Sequence, residues 1–163
     1  MLYLVYTVGL PGSGKTTWAM KFIEGREGAW SRVNRDLIRA MLHNSVYKEA
    51  LTENLVYEGQ EALILSLLRN GSSVVCDDTN LSPSSLQRFA RLISDLKPQI
   101  VGLRMKSFLD VPLETCLERN RLRDGVQRVS ESVIRDMFEG VKKNVLELAK
   151  NNRMIGMDGE EYF

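Results

Sequence analysis

Residues 9–16 read Gly9-Leu10-Pro11-Gly12-Ser13-Gly14-Lys15-Thr16, and the segments on either side of them decide how the chain folds. Before them, Leu2 to Val8 is a run of Leu, Val, Tyr and Thr stopped by Gly9 and Pro11. That pattern is expected of a strand buried on both faces, and so of a central parallel strand. After them, Trp18, Ala19, Phe22 and Ile23 recur at helical spacing from about Thr16 to Glu24, and Gly25 ends the pattern.

The same alternation continues outward. Ser31 to Asn34 is a short strand candidate that leaves Asn34 as the cap of a helix carrying Leu37, Ile38, Met41 and Leu42. A second helix is expected from about Tyr47 to Arg69, ended by Asn70-Gly71. Val74 to Cys76 reads as a short buried strand, with Asp77-Asp78 at its carboxyl end, where open α/β sheets bind ligands. Leu81 to Leu96 reads as a helix with Ser82 as candidate cap and Pro83 in its first turn. Ile100 to Phe108 reads as a strand, Leu113 to Leu122 as a helix, Arg123 to Val129 as a polar loop and Glu131 to Lys150 as a long final helix. Strands alternating with helices predict an α/β fold with a parallel central sheet flanked by helices in three layers.

Composition bounds the function. The 163 residues are 44% hydrophobic and 26% charged, as in a globular domain and unlike a disordered, collagenous or coiled-coil chain. We read 1–163 as a single domain. A net charge of +1 means that any affinity for nucleic acid must come from a local patch. The longest strongly apolar stretch, Ala62 to Leu68, is far too short to span a membrane, and Leu2 to Val8 lacks the basic flank of a signal peptide. Cys76 and Cys116 are too few for a disulfide framework or a zinc site and read as buried thiols. An intracellular, cytoplasmic protein with no membrane partner is the expectation.

Residues 9–16 also fit the GxxxxGK[ST] phosphate loop in its required setting between strand and helix. Its glycines let successive backbone N–H groups turn around phosphate oxygens, and the following helix adds the partial positive charge of its N-terminus. Gly12, Ser13, Gly14, Lys15, Thr16 and Thr17 are the candidate nucleotide-binding residues. Lys15 is expected to reach the β- and γ-phosphates of ATP or another nucleoside triphosphate, and the Thr16 hydroxyl to ligate Mg2+. The loop alone does not name a reaction. The chain carries no Asn/Thr-Lys-x-Asp guanine signature and is short for a mechanical ATPase, so transfer to a separate acceptor fits better. Asp36 and Arg39, three apart at a helix start, share a face and present a base beside an anion-binding group. His43 reads as a surface or partly packed residue, Asp77 as a candidate for orienting metal-bound water, and Arg104 and Lys106 as either a phosphate-contacting surface or a solvated sheet edge.

These blocks together resemble the kinase domain of the bacteriophage polynucleotide 5′-kinases. The resemblance runs through residues 9–19, Asn34-Arg35-Asp36 with Arg39, Asp78-Thr79-Asn80-Leu81, Asp110-Val111-Pro112, and Arg119-Asn120 with Arg123, in the family's order over the first 140 or so residues. It implies a P-loop phosphotransferase with a helical lid, encoded in phage and acting inside a bacterial host. It also implies roles: Asp36 as general base toward the 5′-hydroxyl of a DNA or RNA end, Arg39 on the phosphate next to the attacked nucleotide, and Asp78 beside the pocket. Arg123 would then be a lid residue over the donor phosphates and Arg119 a neighbour of the nucleotide. The catalytic set is thus Lys15, Asp36, Arg39 and Arg123. Two departures stand out: Arg123-Asp124-Gly125 makes the lid apparently one residue longer, and Ser130 stands where proline is common. The end, Met157 to Glu161, lacks the paired aspartates of the fused 3′-phosphatase, so no phosphatase activity is expected.

The expected function is therefore ATP-dependent phosphorylation of 5′-hydroxyl ends in nucleic-acid repair. A kinase of a small-molecule hydroxyl (nucleoside, sugar or antibiotic) and a nucleotide-gated binding module are the alternatives. Asp36 has no natural role in the second, and Arg39 has no obvious partner in the first.

Overall fold

The computed structural model describes residues 1–44, 50–94, 96 and 101–154. The chain runs β1 (Leu2–Val8), α1 (Lys15–Ile23), β2 (Trp30–Val33), α2 (Arg35–His43), α3 (Ala50–Arg69), β3 (Ser73–Cys76), α4 (Ser84–Ser94), β4 (Val101–Ser107), α5 (Leu113–Arg121) and α6 (Glu131–Met154), with one 3-10 turn at Gly125–Gln127. The four strands form one sheet in the order β2-β3-β1-β4, every pair parallel. β1 lies inside it, in register with β4 from Leu2 opposite Val101 to Val8 opposite Ser107, and with β3 from Leu4 opposite Val74.

Strand alternation sorts the core into two faces. Leu4, Tyr6 and Val8 point to one side with Val74 and Cys76, where they meet Ile38 of α2, Val56, Ile64 and Leu68 of α3, and Phe89 and Leu92 of α4. Val5 and Val75 point to the other and meet Ala19, Trp18 and Phe22 of α1. A third cluster, Leu10, Cys116, Leu117 and Ile134, seats α5 and α6 under the loop after β1. The predicted three-layer α/β architecture is the observed one, with β1 buried on both faces. Both cysteines are free and buried. Among the described residues no helix is long and apolar enough to cross a membrane.

Two helix boundaries differ by three or more residues. The helix expected from Leu81 starts at Ser84, because Ser82-Pro83 forms a turn in which the Ser82 hydroxyl accepts from the Ser84 amide at 3.3 Å. α6 runs to Met154, four residues beyond Lys150. The expected helix start at Tyr47 and strand start at Ile100 lie outside the described residues.

Candidate active site

The loop after β1 is a backbone cradle. Gly12 and Gly14 hold φ of 85° and 101°, a region that L side chains rarely adopt. A Cβ on Gly12 would stand 2.3 Å from the carbonyl oxygen of Cys116, so α5 is seated directly against the loop. Gly14 is the N-cap of α1, and this helix has neither a side-chain cap nor an acidic residue in its first turn. The contrast with α2 is informative, since there Asn34 accepts from the Leu37 amide at 3.2 Å and Asp36 sits in the first turn. The N-terminus of α1 thus keeps its amides and partial positive charge for an outside anion.

Lys15 is 6% exposed. Its Nζ donates to the Leu10 carbonyl at 2.6 Å and to Ser13 Oγ at 3.3 Å. Burial, with the charge of Arg123 second, pulls its pKa down to about 8, against the weaker opposing influence of Asp77 and Asp78. Thr16 and Thr17 are exposed on the first turn of α1. A cleft of about 590 Å³ opens beside Thr17, between Gly12, Gly14, Trp18, Lys21, Arg119 and Arg123, without Thr16 in its lining. Arg119 reaches it from α5, its Nη1 3.5 Å from the Gly12 carbonyl. Arg123 reaches it from the loop, because α5 ends at Arg121 and the two do not share a helix face. Buried Asn120 closes the base of that loop: its amide donates to the Val129 carbonyl at 2.7 Å and its carbonyl accepts from the Val129 amide at 3.0 Å.

At the carboxyl end of β3 two carboxylates are both occupied. Asp77 is paired bidentately with Arg32 of β2, at 2.9 and 3.0 Å. This differs from the reading of Asp77 as an orienter of metal-bound water, since both oxygens are engaged by a guanidinium from the neighbouring strand. Asp78 accepts from the Arg35 backbone amide at 2.9 Å and from the Gln60 side chain at 2.5 Å, and lies 3.3 Å from Arg35 Nε. It is anchored in turn to β1: Thr7 donates to its carbonyl at 2.8 Å and Asn80 donates to the Thr7 carbonyl at 3.0 Å.

Asp36 and Arg39 lie together as their spacing predicts, with Arg39 Nη1 2.6 Å from Asp36. The Asp36 side chain is 86% exposed, a carboxylate presented to solvent. Arg39 is also gripped by Glu53 of α3, Nε at 2.6 Å and Nη2 at 2.8 Å. Hydrogen bonding to Glu53 raises the Arg39 pKa above its ordinary value, and the same bond holds the Glu53 carboxyl below its own. At the first residue of α2, Arg35 stacks over Tyr57 of α3 and bonds its hydroxyl. Arg35 and Tyr57 line a second cleft, of about 620 Å³, with Asn80 and Arg88. On the opposite sheet edge Arg104 packs over Tyr3, and Lys106 lies toward Trp18, 5.8 Å from its ring. His43 is half-buried at the end of α2.

A magnesium ion would fit this donor set at Thr16. Among the described residues no group of three His, Cys, Asp or Glu could hold a metal, and Arg32 occupies Asp77. The exposed Thr16 hydroxyl beside the cradle suits an ion completed by nucleotide phosphates and water, the habit of Mg2+.

A family model described as an AAA domain, AAA_33, matches residues 4–145. The chain belongs to the AAA_33 family. Its α/β fold, a parallel sheet flanked by helices, is that of the P-loop kinases. It is similar to an L-seryl-tRNA(Sec) kinase of Methanococcus maripaludis, 29% identical over 83% of this chain and 51% of the relative. A protein of Autographa californica nuclear polyhedrosis virus, named for a bifunctional polynucleotide kinase/RNA ligase, is 26% identical over 83% of this chain and 20% of its own length. Among solved structures, a chain of the Pnkp1/Rnl/Hen1 RNA repair complex superposes with a TM-score of 0.76 at 30% identity, over 90% of this chain and 46% of that one. The Mycobacterium tuberculosis APS kinase CysC, with TM-score 0.62 and 15% identity, shares the fold. The chain thus spans about half of the first curated relative and less than half of the second and of the repair-complex chain.

Sequence reasoning missed Glu53, Gln60 and Arg88. Gln60 carries a legible signal: it falls at the buried spacing Val56, Gln60, Ile64, Leu68 of α3, a polar residue where an apolar one is expected. Glu53 and Arg88 carry none, because nothing local tells which solvated-looking charge faces a site.

Proposed function

We propose that this P-loop kinase phosphorylates the 5′-hydroxyl end of a polynucleotide. The observation that carries the reading is the exposed Asp36 carboxylate, held beside Arg39 at the start of α2 and linked through Arg35 and Asp78 to the strand end next to Lys15. Phosphoryl transfer needs positioning and charge stabilisation more than covalent help. In this reading Gly12, Ser13, Gly14, Thr17 and Lys15 cradle the donor phosphates, and Thr16 ligates the Mg2+ that neutralises their charge. Asp36 takes the proton from the attacking hydroxyl. Arg39 holds the adjacent acceptor phosphate, with Asp78 fixing the backbone that carries Asp36. Arg119 and Arg123 close over the donor. Likeness to a polynucleotide kinase/RNA ligase and to the RNA repair complex supports the acceptor class.

Label transfer from γ-labelled ATP to matched 5′-hydroxyl and 5′-phosphorylated DNA and RNA oligomers tests this. Labelling confined to hydroxyl ends, and lost in Asp36→Asn while ATP still binds, is the expected result. Near-normal turnover in Asp36→Asn would remove Asp36 as the base. One observation favours a second reading, a kinase of a hydroxyl with no neighbouring phosphate: Glu53 and Asp36 already engage Arg39. Equal use of free nucleosides and nucleoside 3′-phosphates would select it.

A further inference from the structure

We propose that the cleft lined by Arg35, Tyr57, Arg88 and Arg91 is a second phosphate subsite, which takes the phosphodiester backbone of the acceptor strand beyond the reacting nucleotide. The inference rests on the polynucleotide reading and extends it. The cleft is about 620 Å³ and its lining, drawn from α2, α3, α4 and the Asn80 to Ser82 turn, includes three guanidiniums and no carboxylate. It shares no lining residue with the cleft beside the phosphate loop, so the donor is not its occupant. It begins at Arg35, the chain neighbour of Asp36, so a strand whose end sits at Asp36 runs directly into it.

Its cations are fixed in place by groups outside the lining, Arg35 by its ion pair with Asp78 at 3.3 Å. Arg35 and Arg88 both lie over the one Tyr57 ring, at 4.7 and 5.0 Å. Arg88 is oriented by a neutral group, with both Nη atoms 3.1 Å from the Gln60 side-chain carbonyl, and pairs more distantly with Glu61 at 3.8 Å. Burial, and after it the neighbouring Arg35, hold the Arg88 pKa below its ordinary value, against the opposing influence of Glu61. Ser84, Gln87, Arg88 and Arg91 recur at helical spacing and form one polar face of α4 along the cleft. Asn80, 3% exposed and also in the lining, keeps a carbonyl oxygen with no hydrogen-bond partner, an acceptor for a sugar hydroxyl or base amino group. Guanidiniums and hydroxyls around a groove bind phosphodiesters without reading sequence.

The test compares KM for a nucleoside 3′-phosphate and for a longer single-stranded 5′-hydroxyl oligomer, in wild type, in Arg91→Gln at the exposed end of the cleft, and in Arg69→Gln as a charge control outside it. Arg91→Gln should raise the ratio of oligomer KM to nucleoside 3′-phosphate KM about tenfold, as expected for one lost charged hydrogen bond. It should also flatten the salt dependence of log KM for the oligomer by about 0.7. Arg69→Gln should leave both within about twofold. An unchanged ratio and salt slope in Arg91→Gln, with wild type active on the oligomer, overturns the subsite alone. A wild type that labels no oligomer overturns the polynucleotide reading with it.

Discussion

Lys15 sits in the phosphate loop with much of its hydration removed, and the free protein bears the cost. Its ammonium titrates at about 8 where an unfolded lysine titrates at 10.5. At neutral pH the folded state therefore carries a penalty of about 3 kcal/mol on this residue. The penalty is complete below about pH 8, where both states are charged, and disappears as pH rises toward 10.5, because in that window the unfolded chain binds the extra proton. A bound triphosphate reverses the balance by favouring the cation. At about pH 9 only about one free molecule in ten has Lys15 charged, so affinity for a non-hydrolysable ATP analogue should fall roughly tenfold from neutral pH. Binding there should also take up close to one proton. Isothermal titration in two buffers of different ionisation enthalpy reads both quantities. Lys15→Met should bind weakly at either pH with no uptake from this site. A wild-type dissociation constant flat across this range, with no proton uptake, would show that Lys15 stays charged in the free loop and would refute the burial argument.

Gly12→Ala places a methyl 2.3 Å from the Cys116 carbonyl at a φ of 85°. It should destabilise by about 2 kcal/mol and weaken triphosphate binding, by denaturant titration and calorimetry, and wild-type values in both would refute the close seating of α5. Arg32→Ala leaves the buried Asp77 carboxylate unpaired and should cost about 3 kcal/mol, with much of the loss recovered in the Arg32→Ala, Asp77→Ala double variant. A single variant as stable as wild type would show that the pair is dispensable. Glu53 is held below its ordinary pKa by Arg39, so its pairing contributes stability that is present above about pH 4.5 and lost as pH falls through the lower folded value. Glu53→Gln should flatten that acid limb in chemical denaturation, and an unchanged limb would assign it to other carboxylates.

The order of strands and helices, the phosphate loop, the Asn34 cap and the pairing of Asp36 with Arg39 are all legible in the sequence. Each is written within a few residues: a two-residue or 3.6-residue period, a glycine where φ must be positive, a cap three residues from its amide. The rest depended on the sheet order β2-β3-β1-β4. Only that order sets Arg32 of β2 against Asp77 after β3, and only the packing of α3 on α2 turns Glu53 toward Arg39. Gly12 meets Cys116 across most of the chain, and Gln60 bridges Asp78 to Arg88. A charge carries no local mark of which partner it will face, so periodicity located the elements and the loop, while tertiary packing alone decided which charges are spoken for and which are left open to a ligand.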